Sequence, residues 1–182
     1  MTEKAALRKE LALRRAEAHG RADPAPALRA LAAELDATEG AVSFYWPIRT
    51  EIDPRPVMRD IARGGRIVCL PISERERPLT FRAWQPDAQM EIDAFGVETP
   101  GPGAGIVVPR VLVVPLLGFD GRLHRLGYGA GHYDRTLAAL REHGEARAIG
   151  FAYAAQEVEE LPVLPTDIAL DAVVTEKGVR RG

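Results

Sequence analysis

Apolar positions along the chain fall into two rhythms. Thr2 to Ala18 carries Leu7, Leu11 and Leu13 on or near one face, with Arg and Glu filling the rest. That pattern predicts a helix, which Thr2 can cap. Asp23-Pro24-Ala25-Pro26 breaks the chain before a second, alanine-rich helix, Ala27 to Leu35. Pro54 to Arg63 predicts a third helix opened by proline and ended by Gly64-Gly65. Asp134 to His143 predicts a fourth, closed by Gly144. Between the helices lie short apolar runs with strand character: Ala41 to Trp46, Arg66 to Pro71, Ala146 to Ala152 and Asp171 to Thr175. Pro78 to Trp84 reads as a weaker strand and Phe95 to Pro100 as a loop. Val111-Leu112-Val113-Val114 is apolar at every position, the mark of a parallel strand buried on both faces. Helices that alternate with such strands predict an α/β fold: a single three-layer domain over residues 1–182, a mostly parallel sheet with helices on both faces.

Composition narrows the classes. With 182 residues, 46% hydrophobic and 27% charged, the chain is long enough for one domain with a core of its own. The net charge of −2 offers no basic footprint for nucleic acid and no polybasic membrane patch. No run of about 18 apolar residues is present, and the charged N-terminal stretch is not that of a signal peptide. Cys69 is the sole cysteine, in the apolar run Ile67 to Leu70, and reads as a buried hydrophobe. A cytoplasmic protein with neither nucleic acid nor membrane as partner is therefore expected; a monomer or weak dimer is the accompanying expectation. The basic residues are 21 Arg and three Lys, so a Lys in a motif stands out.

The stretch that carries chemistry runs from Arg125 to Arg135. Gly127, Gly129 and Gly131 alternate ahead of a predicted helix. Glycine lets a ligand approach backbone N–H groups closely, and a helix N-terminus adds dipole and free donors, so the stretch suits a phosphate. Arg125 and Arg135 flank it and can fork onto phosphate oxygens. The spacing is neither a Walker A motif nor Gly-x-Gly-x-x-Gly. A tight strand-to-helix turn is the competing reading. Asp134 can ligate Mg²⁺, or serve as N-cap or first-turn carboxylate of the helix it begins, and the two roles are compatible. Trp84 is a possible stacking surface for a flat ring; Trp46 and Phe95 read as packing residues. No Ser-His-Asp or Cys-His arrangement is evident.

Val114-Pro115-Leu116-Leu117-Gly118-Phe119-Asp120 followed by Arg125-Leu126-Gly127-Tyr128-Gly129-Ala130-Gly131-His132-Tyr133-Asp134-Arg135 closely resembles the signature of the 5-formyltetrahydrofolate cyclo-ligase (5,10-methenyltetrahydrofolate synthetase) family. Lys4-x-x-x-Arg8, Pro47-Ile48-x-x-Glu51-Ile52-Asp53, Leu161-Pro162 through Asp167, and Asp171 to Glu176 resemble further family segments in order. Departures are the lack of glycine in Met90 to Ala94, His132 where a Tyr is common, and Thr166 where a His is common. The resemblance implies conversion of 5-formyltetrahydrofolate, with ATP as co-substrate and Mg²⁺ as cofactor, into 5,10-methenyltetrahydrofolate, ADP and phosphate. It implies that Lys4, Arg8 and Arg125 are catalytic. ATP would lie on those three together with Leu126, Gly127, Tyr128, Gly129, Ala130, Gly131, His132 and Tyr133. Ile48, Glu51, Tyr128, Gly129, Ala130, Gly131 and Tyr133 would hold the folate, and Asp134 and Asp167 the metal. Lys4 and Arg8 lie one helical turn apart and so point the same way, although a solvated basic face fits that spacing too. Glu51 can accept hydrogen bonds from a pterin, as can Asp53 on the residues alone. A family paralogue with another substrate, or a nucleotide- or folate-binding module without turnover, is the alternative.

Overall fold

A computed structural model of the protein describes residues 3–182; the expected Thr2 cap lies outside the described residues. Seven strands form one sheet in the order β11-β10-β9-β6-β1-β2-β3. The central five are β10 (Ala172–Thr175), β9 (Arg147–Phe151), β6 (Val111–Val114), β1 (Val42–Ser43) and β2 (Val68–Ile72). They pair in parallel. The edges, β11 (Gly178–Arg181) and β3 (Thr80–Trp84), are antiparallel to their neighbours.

The apolar run at Val111 behaves as its pattern predicts. All four residues are buried, and alternate side chains enter opposite layers. Val111 and Val113 pack with α2 (Ala25–Asp36) and α3 (Arg55–Arg63), through Leu31, Leu35, Val57 and Met58. Leu112 and Val114 pack with α4 (His132–Glu142) through Leu137. Helices thus cover both faces, as expected. Trp84 belongs to the first of these layers and is 3% exposed, so it is a core residue and offers no face for a ligand to stack on. Cys69 lies wholly buried in the second, where burial pushes its thiol up to about 12.

Several boundaries differ from expectation for physical reasons. Pro24 caps α2 and Pro26 sits in its first turn, where a missing N–H costs nothing, so the proline cluster starts this helix instead of preceding it. Of Ala41 to Trp46 only Val42–Ser43 is strand. Glu98–Pro100, within the expected loop, forms β5 and pairs antiparallel with β4, Met90–Ile92. The glycine-rich region contains a small hairpin, β7 (Gly118–Phe119) with β8 (Arg125–Leu126). α4 begins at His132 behind Gly131, so Asp134 lies in its first turn and is not its cap.

The first helix, α1 (Glu3–His19), sits outside these layers. Leu11 is its anchor, packed with Leu117, Leu126 and Leu161. Leu13, expected near the same face, is 61% exposed. Gly118 makes this docking possible: a Cβ there would run into Leu11 and lie 3.2 Å from the Gln156 carbonyl. Crossovers leave β1 and β6 in opposite directions, through α3 to β2 and through α4 to β9. Adjacent parallel strands whose connections diverge leave a crevice at their carboxyl ends, the usual ligand position in such sheets.

Candidate functional site

Two segments leave the carboxyl ends of β1 and β6 at that crevice: the turn containing Glu51, and the hairpin that launches the glycine loop. Asp120 organises the hairpin. Wholly buried, it accepts hydrogen bonds from the N–H groups of Arg122, His124 and Leu161. It thereby sets the turn before Arg125 and pins the segment that leads to Asp167.

A cavity of about 800 Å³ opens beside the loop. Four cationic side chains border it, Lys4, Arg8, Arg125 and Arg135, against two carboxylates, Asp134 and Asp167. The surplus of positive charge suits a polyanion. α1 presents Lys4, Arg8, Leu11 and Arg15 at spacings of four, three and four, a single stripe. Lys4 Nζ lies 3.0 Å from Asp167 Oδ2. Arg8 Nε donates to the Gly127 carbonyl at 2.9 Å. Its guanidinium lies so close to Gly129 that a Cβ there would come within 3.2 Å of Cζ; the φ of +102° at Gly129 is equally closed to L side chains. Arg125, 6% exposed at its side chain, donates to Asp134 Oδ1 at 2.7 Å and to the Ile168 carbonyl at 2.7 Å. The Ile168 N–H also donates to Asp134 Oδ1, at 3.0 Å. Residues 125, 134 and 167–168, far apart in sequence, are thereby tied into one wall.

Burial would raise the Asp167 carboxyl, but the Leu164 N–H, Lys4 and the charge of Arg125 outweigh it and hold the group below the usual carboxylate range. Asp167 is therefore anionic at neutral pH. Asp134 Oδ2 and Asp167 Oδ1 take no hydrogen bond from the described residues. No cluster of three or more His, Cys, Asp or Glu that could cage a metal exists among them. Two carboxylates with spare oxygens fit a hard, hydrated cation that draws its other ligands from water and phosphate.

Ile48 and Glu51 do not border this cavity. Glu51 is 5% exposed, not the surface carboxylate its setting after Pro47 suggests. Its Oε2 accepts from the Ile48 N–H at 2.9 Å and its Oε1 from the Tyr128 hydroxyl at 2.6 Å. Burial raises its carboxyl, an effect that Tyr128, Ile48 and Arg15 oppose. Tyr128 itself is pushed up to about 12, by burial first and then by Glu51. Asp53, the competing choice, is engaged with Arg55 at 2.8 Å. His132 Nδ1 lies 3.2 Å from the Arg77 carbonyl, and its ring meets Phe95 edge-on at 6.3 Å. Tyr133 packs into the layer beneath α4, where burial raises its hydroxyl. Arg135 turns back onto the Ala130 carbonyl at 2.6 Å.

Arg15 escapes a reading of the sequence. It is 2% exposed and holds both Tyr128, at 2.5 Å, and Thr50, at 3.1 Å, while standing 3.7 Å from Glu51. One signal for it was available: the extension of the Lys4–Arg8 stripe by two further turns of α1.

The geometry agrees with relationships across the chain. The family model described as the 5-formyltetrahydrofolate cyclo-ligase family matches residues 1–176. A 5-formyltetrahydrofolate cyclo-ligase of Escherichia coli K12 is 35% identical over 144 residues, 76% of this chain and 79% of that protein. One from Haemophilus influenzae is 30% identical over 135 residues, 71% of this chain and 72% of that protein. The solution structure of an Aquifex aeolicus 5,10-methenyltetrahydrofolate synthetase superimposes with a TM-score of 0.77 at 28% identity, covering 99% of this chain and 93% of that one. On a match of that extent, the chain belongs to the 5-formyltetrahydrofolate cyclo-ligase family and with it to the ligases.

Proposed function

We propose that the protein converts 5-formyltetrahydrofolate into 5,10-methenyltetrahydrofolate in a cyclisation that consumes ATP and requires Mg²⁺. The observation that carries the reading is the wall just described, in which Lys4, Arg8, Arg125, Asp134 and Asp167 converge on one cavity next to a glycine loop.

The chemistry explains why such a wall is useful. A formamide oxygen is a poor leaving group. Transfer of the γ-phosphoryl group to it expels ADP, turns the oxygen into part of a good leaving group and makes the formyl carbon electrophilic. N10 of the folate then bonds to that carbon, loses its proton, and phosphate departs with the oxygen. No protein nucleophile is needed. The protein has to align the formyl oxygen with the γ-phosphate and neutralise charge around the transfer. Arg8 and Arg125 are held by backbone carbonyls and by Asp134, so their charges are fixed before substrate arrives. Lys4 supplies a third charge from α1. The glycine loop, Gly127 to Gly131 with its flanking Leu126, His132 and Tyr133, offers backbone N–H groups to the phosphates. Ile48 and Glu51, with the loop from Tyr128 onward, hold the folate. Asp134 and Asp167 would hold Mg²⁺, which when bound neutralises phosphate charge.

The test follows the methenyl chromophore after mixing protein with 5-formyltetrahydrofolate, Mg²⁺ and ATP. Product that depends on ATP and is lost in Asp134→Ala is expected. Binding of ATP without methenyl formation would overturn the reading in favour of a paralogue with another substrate or a binding module. We further take the protein to act in the cytoplasm as a single-domain monomer or weak dimer, which sedimentation measures directly. Among the described residues no helix is long and apolar enough to cross a membrane.

A further inference from the structure

The Glu51 carboxylate is already occupied by the protein itself. Its surroundings fix the direction of every proton. Arg15 can only donate, so its Nη1 donates to the Tyr128 hydroxyl oxygen at 2.5 Å. The Tyr128 proton is then left for Glu51 Oε1, at 2.6 Å. Oε2 accepts from the Ile48 N–H, so both carboxylate oxygens act as acceptors. A chain of donors that ends on an anion strengthens each link, because every donor is polarised by the one before it. Arg15 is itself anchored through Nε to Thr50, the neighbour of Glu51 in sequence.

A pterin edge carries an amino group beside a ring N–H, and that pair matches a carboxylate only when both oxygens are free to accept. Each oxygen has a second lone pair, but Oε1 carries Tyr128 at 2.6 Å and also has the Arg15 guanidinium 3.7 Å away, so it is the more crowded of the two until Tyr128 leaves. We propose that the Tyr128 hydroxyl is an internal competitor of the folate: it latches the glycine loop onto the Glu51 oxygen that the pterin needs, and substrate binding proceeds by displacing it.

The local structure allows the exchange. Tyr128 is 44% exposed, and Gly127 and Gly129 flank it, so its ring can swing to solvent without moving the core. Arg15 stays behind, 3.7 Å from Glu51, and keeps the carboxylate paired once Tyr128 has left. The loop's backbone contribution to binding is untouched by the loss of the hydroxyl. The glycine loop that meets ATP is thus released by the folate, which links the two halves of the site.

This inference rests on the reading that Glu51 holds the folate, and the experiment separates the two. Binding of 5-formyltetrahydrofolate to the full chain is measured by calorimetry without nucleotide, so that no turnover occurs. Tyr128→Phe removes the competing hydroxyl and keeps the ring. It is expected to bind folate about three- to tenfold more tightly than the wild type, the scale of one hydrogen bond to a charged group shared with solvent. In turnover its KM for the folate falls while kcat does not rise. Unchanged or weaker binding by Tyr128→Phe would overturn the latch and make the hydroxyl a ligand or a bystander. Glu51→Gln is the control on the underlying reading: weakened folate binding supports it, and wild-type affinity overturns the assignment of Glu51 and the latch with it.

Discussion

Asp120→Asn is a demanding test of how the site is built. The carboxylate is wholly buried and takes five hydrogen bonds. Oδ1 accepts from the N–H groups of Arg122 at 3.0 Å and His124 at 3.1 Å. Oδ2 accepts from Leu161 N–H at 3.1 Å and from Arg122 Nε and Nη2 at 3.2 and 2.9 Å. Asparagine can keep the first pair by leaving its carbonyl oxygen in place. Its amide then confronts Leu161 N–H and a guanidinium, donor against donor. Arg122 escapes to solvent, being half-exposed and already paired with Glu160. Leu161 N–H has no such exit. One stranded buried donor and one lost charge-assisted bond together come to about 3 kcal/mol. With a urea m value of about 2 kcal/mol/M for a chain of this length, the midpoint should fall by about 1.5 M. The sign with pH is a second check. Burial pushes the Asp120 carboxyl up, but Arg122 and the three backbone N–H groups pull harder and hold it below the usual range. Its contribution is thus complete above the unfolded value of about 4 and is lost as pH falls through the folded value, so the gap between wild type and variant narrows in acid. A midpoint shift below about 0.4 M at neutral pH, well under the value expected for a stranded buried donor, would refute the idea that Asp120 organises the hairpin.

Other outcomes follow from the same geometry. Lys4→Ala removes a partly exposed ion pair and should cost less than about 1 kcal/mol in thermal or urea unfolding, while KM for ATP rises about tenfold or more through loss of a charged contact with phosphate. Gly129→Ala places a Cβ 3.2 Å from the Arg8 guanidinium at φ +102°, so ATP affinity by calorimetry should drop by about an order of magnitude, and strain of about 1–2 kcal/mol should lower the melting temperature by about 3–6 °C. Burial holds the Glu51 carboxyl above its ordinary value, so its ionised form weighs against the fold: wild-type melting temperature should fall as pH rises through the Glu51 titration, and Glu51→Gln, which carries no charge there, should lack that step. The same pH dependence in both proteins would contradict the electrostatic account.

How much of this was legible in the sequence depends on what kind of signal each element leaves. Val111 to Val114 announces itself because a strand buried on both faces needs apolar residues at every position. The helices are legible through long periodic windows and terminal Gly or Pro. The hairpin β7–β8 is not, since its strands of two residues each are too short for any periodicity. β11 is missed because an exposed edge strand, Gly-Val-Arg-Arg, has no hydrophobic face to show. β5 ends on a proline and is polar, and it pairs with a strand identified only in three dimensions. Among site residues, Arg125 and Asp134 stand out in the sequence because glycine spacing and flanking charges are local; Lys4 and Asp167 stand out only through the family resemblance, since they meet the loop from opposite ends of the chain. Arg15 is invisible for the opposite reason. Among 21 arginines its burial is decided by Glu51, Thr50 and Tyr128, which come from elsewhere in the chain.

The bond between Lys4 and Asp167 spans 163 residues of sequence. Closing so long a loop costs little more at equilibrium than closing a short one, since the entropy grows only with the logarithm of length. In time it is different, because contacts of high sequence separation form late. The sheet can assemble from successive strand-helix-strand crossovers, but the wall needs α1 and the segment around Asp167 together. On the proposed function, ATP binding therefore appears only once α1 has docked beside Asp167, and it reports that long-range contact, which a partly folded chain with its sheet already paired still lacks.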